Sequence, residues 1–183
     1  LPWFSDALAL VFTCASLILT GLIFLDPIHS EIPVNAFLLP TIGLFTFKVL
    51  RSLWLYQVRF PCSVWQSLGA SLSGLALTHT VARGVWQGMF VPGKPFMRTP
   101  KYEKLGLLFT GLMTIRQEIF LLTLLALGIW GMGSLEHFDN LSGKLWMAVL
   151  SVQSVPYVAA LITMLISIAP SYFSKSSASF EEL

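Results

Sequence analysis

Long apolar stretches separated by short polar segments make up most of this chain. Four of them are long enough, at 1.5 Å of helix rise per residue, to cross the roughly 30 Å hydrocarbon core of a bilayer. They are residues 7–25, 34–56, 119–135 and 145–169. Asp26-Pro27 ends the first stretch, and a polar segment at 136–140 separates the last two. The pattern predicts two helical hairpins that span a membrane.

A fifth stretch, residues 60–82, contains no Asp, Glu, Lys or Arg but is rich in Ser and Thr. Large apolar side chains recur at helical spacing here and just beyond, so that one helix face is apolar and the other polar. They are Trp65, Leu68, Leu72, Leu75, Trp86 and Met89. Since such a helix lies in the interface plane, the sequence predicts an amphipathic interfacial helix over 60–90.

The composition agrees with a multi-pass membrane protein. Hydrophobic residues make up 55% of the chain and charged residues only 11%, whereas a soluble domain carries about a quarter charged residues. This excludes a soluble globular protein, and the net charge of +2 gives no reason to expect a nucleic-acid partner. The fold class predicted is an all-α integral membrane protein with four transmembrane helices and one interfacial helix.

The distribution of basic residues favours one orientation. If 60–90 lies flat, ten of the eleven Lys and Arg residues are on one side and only Lys144 is on the other; if 60–82 crosses, the split is seven to four. Because basic residues concentrate in cytoplasmic loops, we expect both termini and the loop at 91–104 to be cytoplasmic, in a plasma or inner membrane. Lys48 and Arg51 are expected to snorkel to that interface, and Arg116 to Glu118 to form a solvated cluster there.

The loop at 91–104 combines prolines with basic residues around an aromatic ring and a hydroxyl. Prolines exclude a regular helix, and Lys, Arg and Thr side chains can contact a phosphate. The loop is therefore a candidate anion site, although a basic loop that only sets topology has the same composition.

The order of these parts resembles the C-terminal membrane region of family 2 glycosyltransferases of the cellulose synthase type. That region has two transmembrane helices, an amphipathic interfacial helix, a gating loop and two more helices. The family's gating loop carries the pattern F-x-V-T-x-K, and Phe96, Thr99 and Lys101 fall on its Phe, Thr and Lys positions. Arg98 stands at the Val position, as in a less characterised branch with the loop P-F-x-R-T-P-K, which segments 75–83 and 115–118 also resemble.

The resemblance implies hexosyl transfer from a nucleotide sugar, with Phe96, Arg98, Thr99 and Lys101 binding the donor when the loop closes. It also implies that the membrane helices line a path for the growing glycan. Gln153 and Tyr157, four residues apart on one helix face, are candidates for that path, but hydrogen bonding between helices accounts for them equally well. The aromatic residues at helix ends are expected to form an interfacial belt. These are Trp54, Tyr56, Trp130 and Trp146.

The family's catalytic aspartates, its general base and its Q-x-x-R-W motif have no counterpart in this chain. The chain is therefore expected to be the membrane part of a larger enzyme, with the catalytic domain preceding Leu1 or in another chain. The divalent metal, Mg or Mn, would belong to that domain, and this chain would bind none. The alternative is a non-enzymatic multi-pass membrane protein, such as a transporter subunit or an assembly scaffold.

These predictions divide the chain into five segments. The transmembrane pairs are 1–59 and 105–169, with the interfacial helix at 60–90 and the gating-like loop at 91–104 between them. The Ser-rich segment 170–183 is expected to be a flexible cytoplasmic tail.

Overall fold

The computed structural model of the chain describes residues 2–26, 32–59, 63–91, 107–134 and 140–181. Over these residues the backbone is helical apart from short turns, and it contains no strand. The helices are α1 (Pro2–Leu25), α2 (Val34–Arg59), α3 (Val64–Ala76), α4 (Thr78–Phe90), α5 (Leu107–Thr114), α6 (Arg116–Ser134) and α7 (Leu141–Glu181).

Four of these helices are long and apolar enough to cross a membrane. The candidate spans are Trp3–Leu25, Val34–Val58, Arg116–Ser134 and Leu141–Ile168. They coincide with the four apolar stretches of the sequence, so the predicted all-α fold with four candidate spans is confirmed. The third span begins slightly earlier than predicted, and the helical turns of α5 precede it.

Consecutive spans form antiparallel pairs. In the first pair, Lys48 of α2 contacts Asp6 near the start of α1, while Phe37 of α2 packs edge-on against Phe12, further along α1. In the second pair, Gly133 near the end of α6 lies beside Met147 near the start of α7. Each pair is therefore a helical hairpin, as the sequence predicts.

The two hairpins are arranged so that α1 and α6 run in the same direction. Thr20 of α1 lies against Gly128 of α6, and Phe24, one turn further along α1, lies against Gly131, one turn further along α6. Since α2 returns across the bundle, α6 is parallel to α1 only if the chain between α2 and α6 makes no net crossing. The directions of the helices thus agree with four crossings and not with five.

The single helix predicted over 60–90 is two helices of 13 residues each, separated at Leu77. Ser63 begins α3 with a capping box, in which its side chain accepts from the Gln66 backbone and Gln66 reciprocates. At the break, the Thr78 hydroxyl donates to the Leu75 carbonyl and accepts a hydrogen bond from Lys48 of α2. A contact with a distant helix therefore lies at this break, and local periodicity does not reveal it.

In α3 and α4, small and polar residues face the bundle and large apolar residues are exposed. The positions buried against the bundle are small or polar: Ser67 and Ser71 in α3, Thr78 and Ala82 in α4. Trp65 of the predicted apolar stripe is 83% exposed. A soluble helix would bury this side chain, whereas next to lipid the apolar face can point outward.

The last helix extends beyond its predicted end. Residues 170–181, expected to form a flexible tail, continue α7 to Glu181. Once a helix is nucleated, each added residue gains one hydrogen bond, so a Ser-rich segment that follows a long span can remain helical.

The buried core lies between α1, α6 and α7 and contains Trp146, which is completely buried. The expected aromatic belt is therefore wrong for Trp146, although Trp54 and Trp130 are 66% and 73% exposed, as belt residues would be. The Trp146 indole N–H donates to the Thr20 hydroxyl over 3.0 Å. This buried partner explains why the side chain faces inward, because an indole N–H is buried at low cost only when it is hydrogen-bonded.

Candidate functional site in the helix bundle

The buried face of α1 is polar. Thr13, Ser16 and Thr20 are each at most 3% exposed. Each hydroxyl donates to the carbonyl one turn earlier, at 2.7–2.9 Å. Because the hydroxyl protons are used within α1, their oxygens are free to accept hydrogen bonds from neighbouring helices.

Helix α7 provides the groups that meet this face. The Gln153 amide Nε2 donates to Ser16 Oγ at 3.0 Å and to Thr41 Oγ1 of α2 at 3.1 Å. Tyr157 hydrogen-bonds with Thr13, and Trp146 donates to Thr20 as described above. We call these contacts the α1–α7 seam. Interhelical hydrogen bonds of this kind average about 0.6 kcal/mol in membranes, so the seam sets the register of the helices more than it adds stability.

The seam contains both residues that the sequence marks as a candidate glycan path. Gln153 is 7% exposed and Tyr157 is 5% exposed, and both bond to other helices. The Gln153 carbonyl oxygen is buried and has no partner among the described residues. It faces the bundle interior, where a water or a ligand hydroxyl would satisfy it.

A cavity of about 50 Å³ lies beside the seam, between α1, α2, α4 and α7. Its lining includes Gln153, Tyr157, Lys48, Thr78 and His79. One water needs about 10–15 Å³ of space open to its centre, so the cavity holds on the order of three waters. It is smaller than a sugar unit in this conformation.

A buried ion pair forms one wall of the cavity. The Lys48 ammonium lies 2.6 Å from an Asp6 carboxylate oxygen and 2.6 Å from the Thr78 hydroxyl. The Lys48 and Asp6 side chains are only 20% and 11% exposed. The Lys48 side chain thus ends on Asp6 near the start of α1, where this carboxylate supplies its counter-charge within the bundle.

A second polar cluster joins α4 to α6 near the start of the third span. Gln117 Oε1 accepts from Arg83 Nη1 at 2.9 Å and lies 3.2 Å from His79 Nε2. The neighbouring Glu118 is only 6% exposed, so the predicted solvated cluster is wrong for this residue, while Arg116 is exposed as expected. In an α-helix, residues two apart point in different directions, which explains the opposite environments of Arg116 and Glu118.

The four predicted donor-binding residues of the loop lie outside the described residues. They are Phe96, Arg98, Thr99 and Lys101. The described chain ends before the loop at Val91, after α4, and begins again at Leu107 in α5. Among the described residues, no group of three or more His, Cys, Asp or Glu side chains is placed to hold a metal ion.

Sequence reasoning missed most of the seam. Asp6 of the ion pair and the seam residues Thr13, Ser16 and Thr20 are spaced by seven, three and four residues, which is the spacing of one helix face. That spacing was a usable signal of a polar stripe on an otherwise apolar span. Thr41 carries no such signal, since only the approach of α7 to α2 gives it a role.

Comparison of the chain with protein-family models, with curated proteins and with solved structures found no match. Its function is therefore inferred from the residue patterns and contacts given above.

Proposed function

We propose that this chain is the membrane-embedded part of a nucleotide-sugar-dependent glycosyltransferase, in which the loop at 91–104 closes over the donor. The observation that carries the proposal is the pattern formed by Phe96, Arg98, Thr99 and Lys101, located between two short amphipathic helices and the third span. The order of the described helices on either side is the order that the resemblance implies.

The contacts of α4 support an interfacial position for this helix. Thr78 at its start bonds to Lys48, the partner of Asp6, and the Trp86 indole N–H donates to the Ala7 carbonyl at 3.3 Å. Asp6 and Ala7 are neighbours in the first turns of α1. Thr78 and Trp86, two turns apart in α4, thus both lie near the first turns of α1, as expected for a helix that runs across the bundle.

This level lies at the end of the bundle where α1 and α6 begin, which the charge distribution assigns to the cytoplasm. Nucleotide sugars are cytoplasmic substrates, so a loop that leaves α4 on that side is suitably located to meet one. The proposed setting is a plasma or inner membrane, with the loop and both termini cytoplasmic.

The loop chemistry fits a departing nucleoside diphosphate. Negative charge builds up on the diphosphate as the glycosidic bond to it breaks, and fixed cations and hydrogen-bond donors stabilise that charge. In the proposal, Lys101 and Arg98 supply positive charge, Thr99 donates a hydrogen bond and Phe96 seats the loop. Closure also excludes water that would hydrolyse the donor.

Other parts of the reaction belong outside this chain. The catalytic acid–base groups and the Mg or Mn ion would come from a catalytic glycosyltransferase domain that precedes these residues or belongs to another chain. Within the bundle, Gln153 and Tyr157 would contact the glycan only if the α1–α7 seam opens, since their polar groups now bond to α1 and α2. These two side chains would then replace their hydrogen bonds to helix hydroxyls with hydrogen bonds to sugar hydroxyls.

The test uses the natural polypeptide that contains this chain, in isolated membranes supplied with Mg or Mn and a panel of labelled nucleotide sugars. A contact to a charged group contributes about 1.5–3 kcal/mol, so Thr99→Ala and Lys101→Ala should each lower kcat/KM for the accepted donor about tenfold or more. Lys94→Ala, in the same loop but outside the pattern, is the matched control and should change it little. Unchanged turnover in both loop variants, at equal protein levels, contradicts the assignment.

The buried Asp6–Lys48 pair favours a second candidate, a non-enzymatic transporter subunit. Ionisable residues inside a membrane bundle commonly mark ion or substrate paths, and this pair borders a cavity of water size. In proteoliposomes, a transporter would show solute or proton flux that Lys48→Met abolishes and Lys101→Ala leaves intact. A glycosyltransferase would instead lose sugar transfer in Lys101→Ala.

A further inference from the structure

A wide groove of about 530 Å³ opens along the outside of the bundle between α1 and α6, beside α4. Its walls along the spans are apolar and come from Leu10 and Cys14 of α1 and from Phe120 and Leu121 of α6. Phe120 is 62% exposed and Cys14 is exposed too. The groove therefore presents an apolar surface to the molecules that surround the spans.

One end of the groove is basic. His79, Arg116 and Gln117 line it there, and Arg83 reaches the same end because it donates to Gln117 Oε1. Arg116 is exposed and has no hydrogen bond or ion pair with another described residue. His79 Nδ1 is buried and also has no partner among the described residues.

No described carboxylate forms an ion pair with Arg83 or Arg116. Asp6 is paired with Lys48, and Glu118 is buried while Arg116 beside it is exposed. The two guanidinium groups therefore keep their positive charge at the edge of an apolar trough. An occupant that complements both features must carry a negative head and a hydrocarbon tail.

We propose that this groove binds an acidic phospholipid of the leaflet on the side where α1 and α6 begin. Its phosphate bonds to Arg83 and Arg116, since planar guanidinium groups match phosphate oxygens, and one acyl chain lies along Leu10, Cys14 and Phe120. Basic pockets between transmembrane helices on the cytoplasmic side are suited to anionic headgroups. A free phosphate would use the basic end and leave the apolar walls without a role.

The lipid would also link two elements that the protein itself joins weakly. α4 and α6 meet through the neutral Gln117 side chain, which accepts hydrogen bonds but carries no charge to balance Arg83. A phosphate between Arg83 of α4 and Arg116 of α6 provides that charge. This inference requires only the four-span bundle and is independent of the proposed glycosyl transfer.

The first measurement compares lipid retention by native mass spectrometry. The full chain is reconstituted in nanodiscs with equal amounts of phosphatidylglycerol and phosphatidylcholine, as wild type, Arg83→Ala/Arg116→Ala and Arg51→Ala. Each basic residue near anionic lipid contributes about 1 kcal/mol, so the double variant should lose about 30-fold of the preference for phosphatidylglycerol. Arg51→Ala removes an exposed arginine of α2 outside the groove and should keep it. A preference that persists in the double variant overturns the proposal.

The second measurement locates the lipid with the thiol of Cys14, in a Cys62→Ser background. Phosphatidylglycerol nanodiscs should slow the reaction of Cys14 with N-ethylmaleimide several-fold relative to phosphatidylcholine nanodiscs, and the double variant should lose this protection. Equal rates in the two lipids place any bound lipid elsewhere and overturn the assignment. Equal protection by inorganic phosphate in phosphatidylcholine nanodiscs shows a free-anion site and overturns it too.

If the alanine pair misfolds, Arg83→Lys/Arg116→Lys keeps the charge and separates folding from recognition. This variant should retain most of the preference and of the Cys14 protection. Loss of both in a folded lysine variant, as judged by size-exclusion and circular dichroism, contradicts recognition through charge.

Discussion

Replacing Lys48 by methionine would remove one half of the buried ion pair while keeping a side chain of similar length and volume. The Asp6 carboxylate, 11% exposed, would lose the ammonium that lies 2.6 Å away. The Thr78 hydroxyl would lose the same partner but would still donate to the Leu75 carbonyl. The perturbation therefore leaves a single uncompensated charge inside the bundle.

The magnitude follows from what remains buried. Removing one partner of a buried ion pair costs about 3–5 kcal/mol, because the other charge stays desolvated. Since Lys48 is 20% exposed, some water reaches the site, and we expect a loss of about 3 kcal/mol for Lys48→Met. Replacing both partners with apolar residues, as Asp6→Leu/Lys48→Met, removes the stranded charge. The double variant should lose less than Lys48→Met alone.

The free energy of unfolding is measured for wild type, both single variants and the double variant, by titrating denaturing detergent into mixed micelles and following helicity. Arg51→Met is the matched control, because Arg51 is an exposed basic residue one turn along the same helix. It should change stability by less than about 0.5 kcal/mol. A loss under 1 kcal/mol for Lys48→Met, or additive losses in the double variant, would refute the ion-pair reasoning.

Two further predictions concern packing between spans, and both use the same unfolding assay. Gly128→Leu should destabilise the protein by about 1–3 kcal/mol, because a Cβ added at this position would lie 3.4 Å from Thr20 and 3.5 Å from Leu150. The control is Gly21→Leu, whose side chain would face open space, and it should be neutral. Equal losses for the two would contradict the close approach of α1 and α6. Trp146→Phe should lower the free energy of unfolding by about 1–2 kcal/mol, because the hydrogen bond to Thr20 is lost and the ring is smaller. Trp130→Phe, at an exposed position, should lower it far less. The reverse order would show that Trp146 is not buried.

The spans could be predicted from the sequence because each depends on local composition. A run of apolar residues long enough to cross the hydrocarbon has one stable conformation there, since every backbone hydrogen bond must be made within the segment. Asp26-Pro27 marks the end of α1 for equally local reasons. Neither inference needs a neighbouring helix.

Predictions that depend on a neighbour failed or stayed open. The partner of Lys48 is not visible in the sequence, and the expectation that Trp146 lies in an interfacial belt is wrong, because each residue was considered on its own helix. In the bundle Lys48 meets Asp6, and Trp146 meets Thr20. The break at Leu77 is not predicted either, and it lies beside a hydrogen bond from Lys48 of α2 to Thr78.

The proposed binding residues likewise include some that the sequence reveals and some that only the fold brings together. The residue pattern of the loop, from Phe96 to Lys101, is visible in the sequence alone and still carries the functional proposal. The groove between α1 and α6 is not visible in the sequence, because Arg83 and Arg116 belong to segments far apart along the chain that Gln117 joins.

The sequence by itself determined the four apolar helical spans, and it predicts that most of the positive charge lies on one side of a membrane. The bilayer acts on the hydropathy and charge of each segment separately, so the spans can be predicted without knowing which helices are in contact. Only the tertiary structure decided which polar groups turn inward, because a buried charge or hydroxyl is stable where another helix supplies its partner. The α1–α7 seam and the Asp6–Lys48 pair exist for that reason.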